Sequence, residues 1–549
     1  MPIDRLQDDE MVKCELSELT RMMAERAPYE NNWRDVDARV NPFQAGGFNG
    51  VTPGARRGQS NFDVTASESR DRFGAAMVSI SVPKRLQYIN VKFADANLNK
   101  LPSVKRWCAA AGPRLYAIRY APHTGFGRTA FETFCQVGGY GNAPLWHGER
   151  PGTGVFYQSL HLAECFFDVD FSGRVDTVRR SFRKSARQCE QMFGRAALTP
   201  KMLEAITNDK GHLEFELIHA VRPSEELNRD AMDYRSMPVA SIYIARDEKM
   251  VLKRSGYHSM PISVARDVTS PGEKYSHSPS IRMMPTIMGV NVMQQTILRA
   301  GHKAVDPALA FYNDDGMTSL STKPNGLNPG LVDENGRLLV AAMPGGGGNI
   351  PMGMEMVEQE RAIIRRGFMG EYWKLLAEDS VQRSATAVLE IAAKQGALIA
   401  PYGEQFDTDV ANPVTQRDLE LALRAGQIDP FPPEVIEAGA WPLIEYDNPL
   451  SRMARAEEPA GLTRMIEVLA PFAQSRPDVF DVIDIDKAAP EIADVLGVNA
   501  NWIRSPEDLA AVRKSRTDAQ AAQQGVDQFA TAAGAYVDIA KGNQLAEAA

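Results

Sequence analysis

The chain has 549 residues, of which 44% are apolar and 24% are charged, and its formal net charge is −9. This length allows several domains, and the acidic balance gives no general electrostatic reason for tight binding to nucleic acid. Five cysteines without C-x-x-C spacing argue against a zinc ribbon or a redox motif. The first residues do not resemble a signal peptide, and no apolar run approaches the roughly 18 residues that a membrane span needs. We therefore expect a soluble intracellular protein.

The N-terminal half alternates predicted helices with predicted strands. Apolar residues at helical spacing predict one helix before Pro28 and a second segment after it. Residues 213–260 are rich in β-branched and aromatic residues, which predicts several strands. Two capping-box patterns predict the starts of further helices: Thr65 with Glu68, and Ser185 with Gln188.

Two long helices are predicted on either side of an insert that is rich in turn residues. The helices cover residues 280–303 and 353–376, and the insert covers residues 304–352. Asn335-Gly336 within the insert is a two-residue hairpin signal. The predicted apolar stripes are Ile281, Met284, Met288, Val292 and Ile297 in the first helix, and Met356, Ile363, Ile364, Phe368, Tyr372 and Leu376 in the second.

Signals for catalysis or cofactor binding are weak. The run of Pro344 and the glycines at 345–348 lacks the Lys-Ser/Thr that a phosphate-binding loop needs, so it predicts a hinge. The Gly138-Gly139-Tyr140-Gly141 stretch does not form a dinucleotide fingerprint. The eight histidines show no metal-binding pairing, and no nucleophile elbow is present. We therefore predict no catalytic residue, no cofactor and no metal.

Two acidic clusters leave a metal site open as an alternative. Asp168 and Asp170 lie in a predicted hairpin, and Asp481, Asp484 and Asp486 precede a predicted helix. Either cluster offers the carboxylate oxygens that Mg²⁺ takes in nucleases and transferases. We favour the simpler interpretation, an exposed turn in the first case and a helix start with favourable charge in the second.

Basic residues lie along and just after the second long helix. They form either a surface that meets DNA phosphates or a solvated helix face with ion pairs such as Glu358–Arg361. The spacing alone favours the solvated face. The residues are Arg361, Arg365, Arg366, Lys374 and Arg383.

The order of several segments resembles the portal proteins of short-tailed bacteriophages, the head-to-tail connectors, over about residues 15–515. One segment, SATAVLEI, departs from the usual Thr-Ala-Thr-Glu-Val pattern of the family. The segments that carry the resemblance are FDVTASESRDRFGAAMVSISVP, CQVGGYGNAPLW, CFFDVDFSGRVDTVRRSFRKSARQCEQMFG, the helix–insert–helix of residues 280–376, SATAVLEIAAKQGALIAPYG and DVIDIDKAAPEIADVLGVNANWIRSPEDLAAVRKSR.

The resemblance implies an α+β portal fold, mostly helical, with a β-rich wing and a small β clip. Subunits of this family form a ring, usually of twelve, around an axial channel. The implied parts are the N-terminal part of the wing at 1–279, the stem helices at 280–303 and 353–376, the clip at 304–352, the channel loop and the rest of the wing at 377–459, and a helical crown with an Ala/Gln-rich tail at 460–549.

The resemblance also implies a structural protein of the virion, not an enzyme, that is located at one capsid vertex and made in the bacterial host cytoplasm. Its implied partners are terminase during packaging, tail adaptor or nozzle proteins, capsid and scaffolding proteins, and double-stranded DNA in the channel, with no membrane. The basic residues above are the candidates that face DNA. The candidates for docking at the clip are Asp314, Asp315, Asn325, Asp333, Glu334, Asn335 and Arg337.

Two other functions remain open. One is a metal-dependent phage enzyme of DNA processing that uses Asp481, Asp484 and Asp486. The other is a different virion component, such as an internal ejection protein or a tail protein. The helix–insert–helix arrangement argues against the second alternative.

Overall fold

The computed structural model describes residues 5–370 with short gaps, residues 403–447, and a few positions within 461–516. The chain divides into two compact units, Met1–Ala454 and Arg455–Ala549. The described positions of the second unit are helical, at 461–462, 465, 468–469, 509 and 512–516. The gaps before residue 371 are 44–46, 51, 53, 151–153, 226, 229, 306–308, 313–320, 322, 324, 334 and 338–349.

Helix α1 (Arg5–Arg39) runs through Pro28 without a break. The prediction of two separate segments was therefore wrong. Proline removes one backbone hydrogen bond, but side chains on either side fix the helix to the rest of the unit. Arg26 donates to the carbonyl oxygens of Leu162 and Cys165 at 3.0 and 2.8 Å, and Trp33 is fully buried. These contacts outweigh the missing bond.

Three helices follow α1: α2 (Thr65–Ser81), α3 (Pro102–Arg119) and α4 (Phe126–Tyr140). Helix α2 begins at Thr65 as predicted, but the predicted capping box is wrong. The Asp63 carboxylate accepts the backbone N–H of Thr65 at 2.9 Å, and no side chain caps the helix from its N-cap position. The predicted apolar stripe of α2 is buried, and it consists of Phe73, Met77 and Ile80.

A five-stranded antiparallel sheet has the order β4-β5-β6-β7-β8. The predicted strands of residues 213–260 are confirmed as its last three members. Alternation along β6 separates two cores: Ile218 packs with α1, while Leu217 packs with the helices α5 and α6. The bounds are β4 (Cys165–Val169), β5 (Val175–Ser185), α5 (Ala186–Phe193), α6 (Pro200–Thr207), β6 (Glu214–Pro223), β7 (Val239–Ala245) and β8 (Met250–Tyr257).

The second predicted capping box is confirmed. The Ser185 side chain accepts the backbone N–H of Gln188, and the Gln188 side chain accepts the backbone N–H of Ser185. Both side chains satisfy backbone donors that the first turn of α5 leaves without helical partners.

The region of the two long helices differs in its bounds from the prediction. It contains α7 (Pro279–Arg282), α8 (Met284–Val305) and α9 (Ile350–Gly367). The second long helix, expected over 353–376, thus starts earlier and ends at Gly367. Met369 follows it with a φ of +59°, which is incompatible with a continuing helix. Residues 371–376 lie outside the described residues.

Among the described residues, the remaining strands form three small sheets. β2 (Asn142–Arg150) pairs with β3 (Gly154–Ser159) on one side and β9 (Ile262–Arg266) on the other. β10 (Leu309–Tyr312) and β11 (Leu327–Val332) pair in parallel within the insert. β1 (Ile89–Phe93) pairs antiparallel with β12 (Pro442–Tyr446). The described chain is therefore mixed helix and sheet, as predicted for the α+β class.

Residues 403–447 pack against the N-terminal part of the chain. A π-helical turn (Asp407–Ala411) leads into α10 (Asn412–Arg424), and α11 (Pro433–Ala438) precedes β12. Arg119 on α3 and Asp418 on α10 form a fully buried ion pair at 2.8 Å, although they are 299 residues apart in the chain. Tyr157 donates to the same carboxylate at 2.7 Å.

Loss of the Asp418 carboxylate is expected to destabilise the first unit strongly. In Asp418→Ala the Arg119 charge stays buried without its partner, which typically costs about 3–5 kcal/mol. The matched control is Arg128→Ala, which breaks an exposed pair with Glu132 on α4, and we expect little change there. Urea unfolding followed by circular dichroism measures both. Equal midpoints for the two variants would contradict this assignment.

Candidate functional site

Helices α8 and α9 pack side by side in antiparallel directions. Gly353, near the start of α9, lies against the Ile297 side chain towards the end of α8. Gly367, at the end of α9, lies against Met283 just before α8. The pair is therefore in register over about 14 residues, or roughly 21 Å of helix. Both helices contribute buried residues to the main core, namely Met284, Ile287, Val290, Val357 and Ile364, and Phe368 directly after α9 joins them.

The outer face of α9 is also apolar. Positions 352, 356 and 363 lie on one side of this helix, about 100° from the buried side. Met352, Met356 and Ile363 are 64%, 49% and 42% exposed there. The predicted stripe grouped Met356 and Ile363 with Ile364 and Phe368, but only Ile364 and Phe368 are buried within this chain. It likewise counted Val292 of α8, which is 59% exposed. Helical periodicity identified the apolar residues of both helices, but it did not separate the buried side of a helix from its exposed apolar side.

A third face of α9 carries charge in ion pairs. Arg361 contacts Asp63 beside α2 at 2.6 Å and Glu358 at 3.4 Å, and Arg365 contacts Glu358 at 2.6 Å. The bonds from Arg365 and then Arg361 lower the pKa of Glu358. Burial alone would lower the pKa of Arg361, but the bond to Asp63 leaves it raised. The predicted Glu358–Arg361 pair is thus confirmed.

The other predicted basic residues are placed only in part. Arg366 is exposed on α9, whereas Lys374 and Arg383 lie outside the described residues. Whether any of the five faces DNA stays a prediction.

The insert between α8 and α9 contains the predicted turn. The Asp333 carboxylate accepts the backbone N–H groups of Asn335 and Arg337 at 2.9 and 2.7 Å, and Gly336 has a φ of +76°. The strand predicted after this turn lies outside the described residues. Asn325 is exposed, with a φ of +52°. The other predicted docking residues, Asp314, Asp315 and Glu334, also lie outside the described residues.

The segment that leads into α8 is fixed by a ladder of hydrogen bonds that the sequence patterns did not predict. Ser276, Ser278 and Ser280 donate to the carbonyl oxygens of Gly141, Gly139 and Gly138 at 2.5, 2.6 and 2.7 Å. These glycines belong to the end of α4, whose carbonyl groups lack helical partners. All three serines are buried. The alternation of serine in S-H-S-P-S was the signal that could have found the ladder.

Glycine is required at position 141 of this ladder. Its φ is +86°, and a Cβ there would lie 2.6 Å from the Ser276 carbonyl oxygen and 2.9 Å from the Ser278 nitrogen. Both neighbours are backbone atoms, so they cannot move aside cheaply. The stretch judged uninformative for nucleotide binding therefore has a role in packing.

A buried carboxylate lies beside the ladder. The backbone N–H of Asp267 donates to the Ser276 hydroxyl at 3.1 Å, and Arg282 of α7 donates to the Asp267 carboxylate at 3.1 Å. Burial raises the pKa of Asp267 to about 6, and the contact with Arg282 offsets only part of that effect. An ionisable group, the Asp267 carboxyl, therefore lies beside the segment that leads into α8.

The acidic cluster at Asp168 and Asp170 is structural. Asp168 contacts Arg21 at 3.0 Å and Lys274 at 2.8 Å. Asp170 accepts backbone N–H groups of the turn between β4 and β5, from Ser172 at 2.8 Å and Arg174 at 3.0 Å. Among the described residues, no group of three or more His, Cys, Asp or Glu side chains is placed to hold a metal ion. Asp481, Asp484 and Asp486 lie outside the described residues.

Two further expectations concern the whole chain. All five cysteines lie in described positions and are free, with Cys165 and Cys189 buried. Within the described ranges, no helix combines the length and apolar character that crossing a membrane requires.

The sequence matches one family model and two curated relatives over nearly its full length. The model, described as "Bacteriophage head to tail connecting protein", matches residues 15–503. The "Probable portal protein" of Bordetella phage BPP-1 is 25% identical over 555 residues, with 97% of each chain covered. The "Portal protein" of Salmonella phage epsilon15 is 23% identical over 528 residues, with 92% of each chain covered.

Substituting Gly141 is expected to lower the free energy of unfolding by more than the strain of a left-handed backbone alone would. Gly173 has a similar φ of +82° but open space around it. Gly173→Ala is expected to cost about 1–2 kcal/mol, the usual penalty for left-handed backbone. Gly141→Ala should lose about 1–3 kcal/mol more because of the overlap. Thermal unfolding of the two variants checks this, and equal losses would show that the ladder tolerates a methyl group.

Asp267 predicts a defined pH dependence. Its pKa is higher in the folded protein than the ordinary value of 3.8, so the folded state holds a proton that the unfolded state releases. This contribution is fully present below about pH 4 and is lost as the pH rises towards 6. As the pH rises through this window, wild type should therefore lose stability relative to Asp267→Asn. A pH-independent difference in urea midpoints would contradict the expectation.

Proposed function

This chain belongs to the bacteriophage head to tail connecting protein family, and we propose that it forms the ring that joins the phage head to its tail. The observation that carries the proposal is the extent of the similarity: the family model spans residues 15–503, and two portal proteins match over more than nine-tenths of their length. The chain is thus similar to whole connectors, not to one module of them. Its place is the virion, at the head-to-tail junction.

We assign the parts of the connector to the bounds expected from the sequence. Residues 1–279 and part of 377–459 would form the wing, 280–303 and 353–376 the stem, 304–352 the clip and 460–549 the crown. The antiparallel α8–α9 pair and the parallel β10–β11 pair support the stem and clip assignments. The pairing of β1 with β12 supports a single wing built from two distant segments.

The outer face of α9 supports assembly into a ring. A helix that buries one apolar face and exposes another needs a second partner, and a neighbouring copy in a closed ring supplies one. We propose that Met352, Met356 and Ile363 pack against the next subunit. A ring of twelve is the number usual in the family.

The proposed ring has a structural role in packaging and ejection. Terminase and later the tail adaptor or nozzle proteins would dock at the clip, capsid and scaffolding proteins would contact the rest of the ring, and double-stranded DNA would pass along the axis. The ion pairs of Arg361 and Arg365 reduce the positive charge that this side of α9 presents. The assembled ring is anionic overall, because each chain carries −9, so the channel would let DNA slide. No catalytic step is part of this proposal.

The ring itself is tested by native mass spectrometry and negative-stain images of the purified full-length protein. We expect a closed oligomer of about twelve copies with a central hole. A stable monomer at micromolar concentration under all salt conditions would exclude the proposed assembly.

The interface is tested by placing charge on the outer face of α9. Met356→Glu with Ile363→Glu should prevent ring formation, because carboxylates would be buried against the neighbour without partners. Met232→Glu is the matched control, since this methionine is fully exposed in the loop between β6 and β7. Circular dichroism should show that both proteins remain folded. Normal rings from the double variant would place the subunit contact elsewhere.

A further inference from the structure

One stretch of this acidic chain is strongly basic. Residues 82–117 contain seven lysines and arginines and one acid, Asp95, in a chain of net charge −9. Lys92 forms an ion pair with Glu445 of β12 at 2.5 Å. The other six are exposed, and within the part of the chain that the structure describes none of them forms an ion pair. We call them the α3 basic surface: Lys84, Arg85, Lys100, Lys105, Arg106 and Arg114.

Helix α3 organises this surface. Its inner side, with Val104, Trp107 and Leu115, is buried. The Tyr116 hydroxyl donates to the carbonyl oxygen of Lys84 and so holds the segment before β1 against the C-terminal half of the helix. From Lys105 to Tyr116 the helix is about 16 Å long at 1.5 Å per residue. The cations therefore lie along the helix, not at a single point.

The outward side of α3 between the cations carries small residues. Ala109, Ala110, Pro113 and Ala117 are all exposed. Short side chains at the centre with long basic ones around them let an extended polyanion approach the helix closely. The six cations lack the ion pairs that engage Arg361 and Arg365 on α9.

Three acids near this surface have other partners. The Asp95 carboxylate accepts the backbone N–H of Asn97 at 2.8 Å. Glu434 of α11 accepts the hydroxyl of Ser103 at 2.9 Å at the start of α3. Glu445 is the partner of Lys92. None of these three acids forms an ion pair with a member of the α3 basic surface.

We propose that the α3 basic surface binds the phosphate backbone of double-stranded DNA, at a site separate from the α8–α9 pair. Backbone binding needs only cations spread along a surface, and it carries no base specificity. An acidic peptide fits less well, because the centre of the surface offers alanine and proline and not hydrogen-bonding partners. The choice of DNA as the polyanion rests on the proposed function.

The test uses relaxed, covalently closed circular plasmid and the full-length protein. A closed circle cannot be threaded through a closed ring, so its binding reports surfaces other than the channel. Wild-type protein should bind it at low salt, with an affinity that falls steeply as salt rises. In Lys105→Glu with Arg106→Glu the affinity should fall at least about tenfold, and the log–log salt slope should drop by about 2.

The matched control is Lys201→Glu with Lys210→Glu, which makes the same change of charge at exposed positions around α6. It should bind plasmid within about twofold of wild type. The proposal is overturned if plasmid does not bind, if both double variants lose affinity equally, or if polyglutamate binds more tightly than DNA. Native mass spectrometry reads ring formation separately. A chain that binds plasmid without forming rings would refute the proposed assembly and keep this surface.

Discussion

The buried pair between Arg119 and Asp418 is the constraint on which the first unit depends. It joins residues 299 positions apart. The segment between them contains most of the strands, α8, the insert and α9. Two charges without water are costly, and hydrogen bonds offset part of that cost. Arg119 and Tyr157 both donate to Oδ2 of Asp418, while its Oδ1 is buried without a hydrogen-bond partner among the described residues. Arg119 also donates to Thr415 at 2.6 Å, and Tyr446 of β12 donates to the same threonine at 2.9 Å. Hydrogen bonds among α3, α10 and β12 therefore hold the two ends of this long segment together.

The helix pair α8–α9 is fixed to the same unit by side-chain contacts. The serine–glycine ladder fixes the start of α8 to α4, and Arg361 fixes α9 to the Asp63 carboxylate beside α2. Both helices are therefore anchored to the same core at several points. A partner that docks on the insert would therefore act on two helices that are packed against the core.

Local patterns predicted local structure. The Ser185–Gln188 box, the stripe of α2 and the strands after residue 213 depend on neighbours in sequence, and they were found. The helix through Pro28 and the packing role of Gly141 depend on partners more than 100 residues away, and no local pattern carries that information. The predicted stripe of α9 contains residues from two sides of the helix. Its two apolar sides are adjacent on the helix, and periodicity alone does not say which one meets the core of its own chain.

The methionines on the outer face of α9 have a chemical consequence. Unbranched thioether side chains adapt to uneven surfaces, which suits a contact repeated between many copies. They are also open to oxidants, and a sulfoxide would make this face polar. In the ring we propose, each face is covered by the next copy. Unassembled chains would then be the oxidant-sensitive population, and repair by sulfoxide reductases would act on chains that are still free to join a ring.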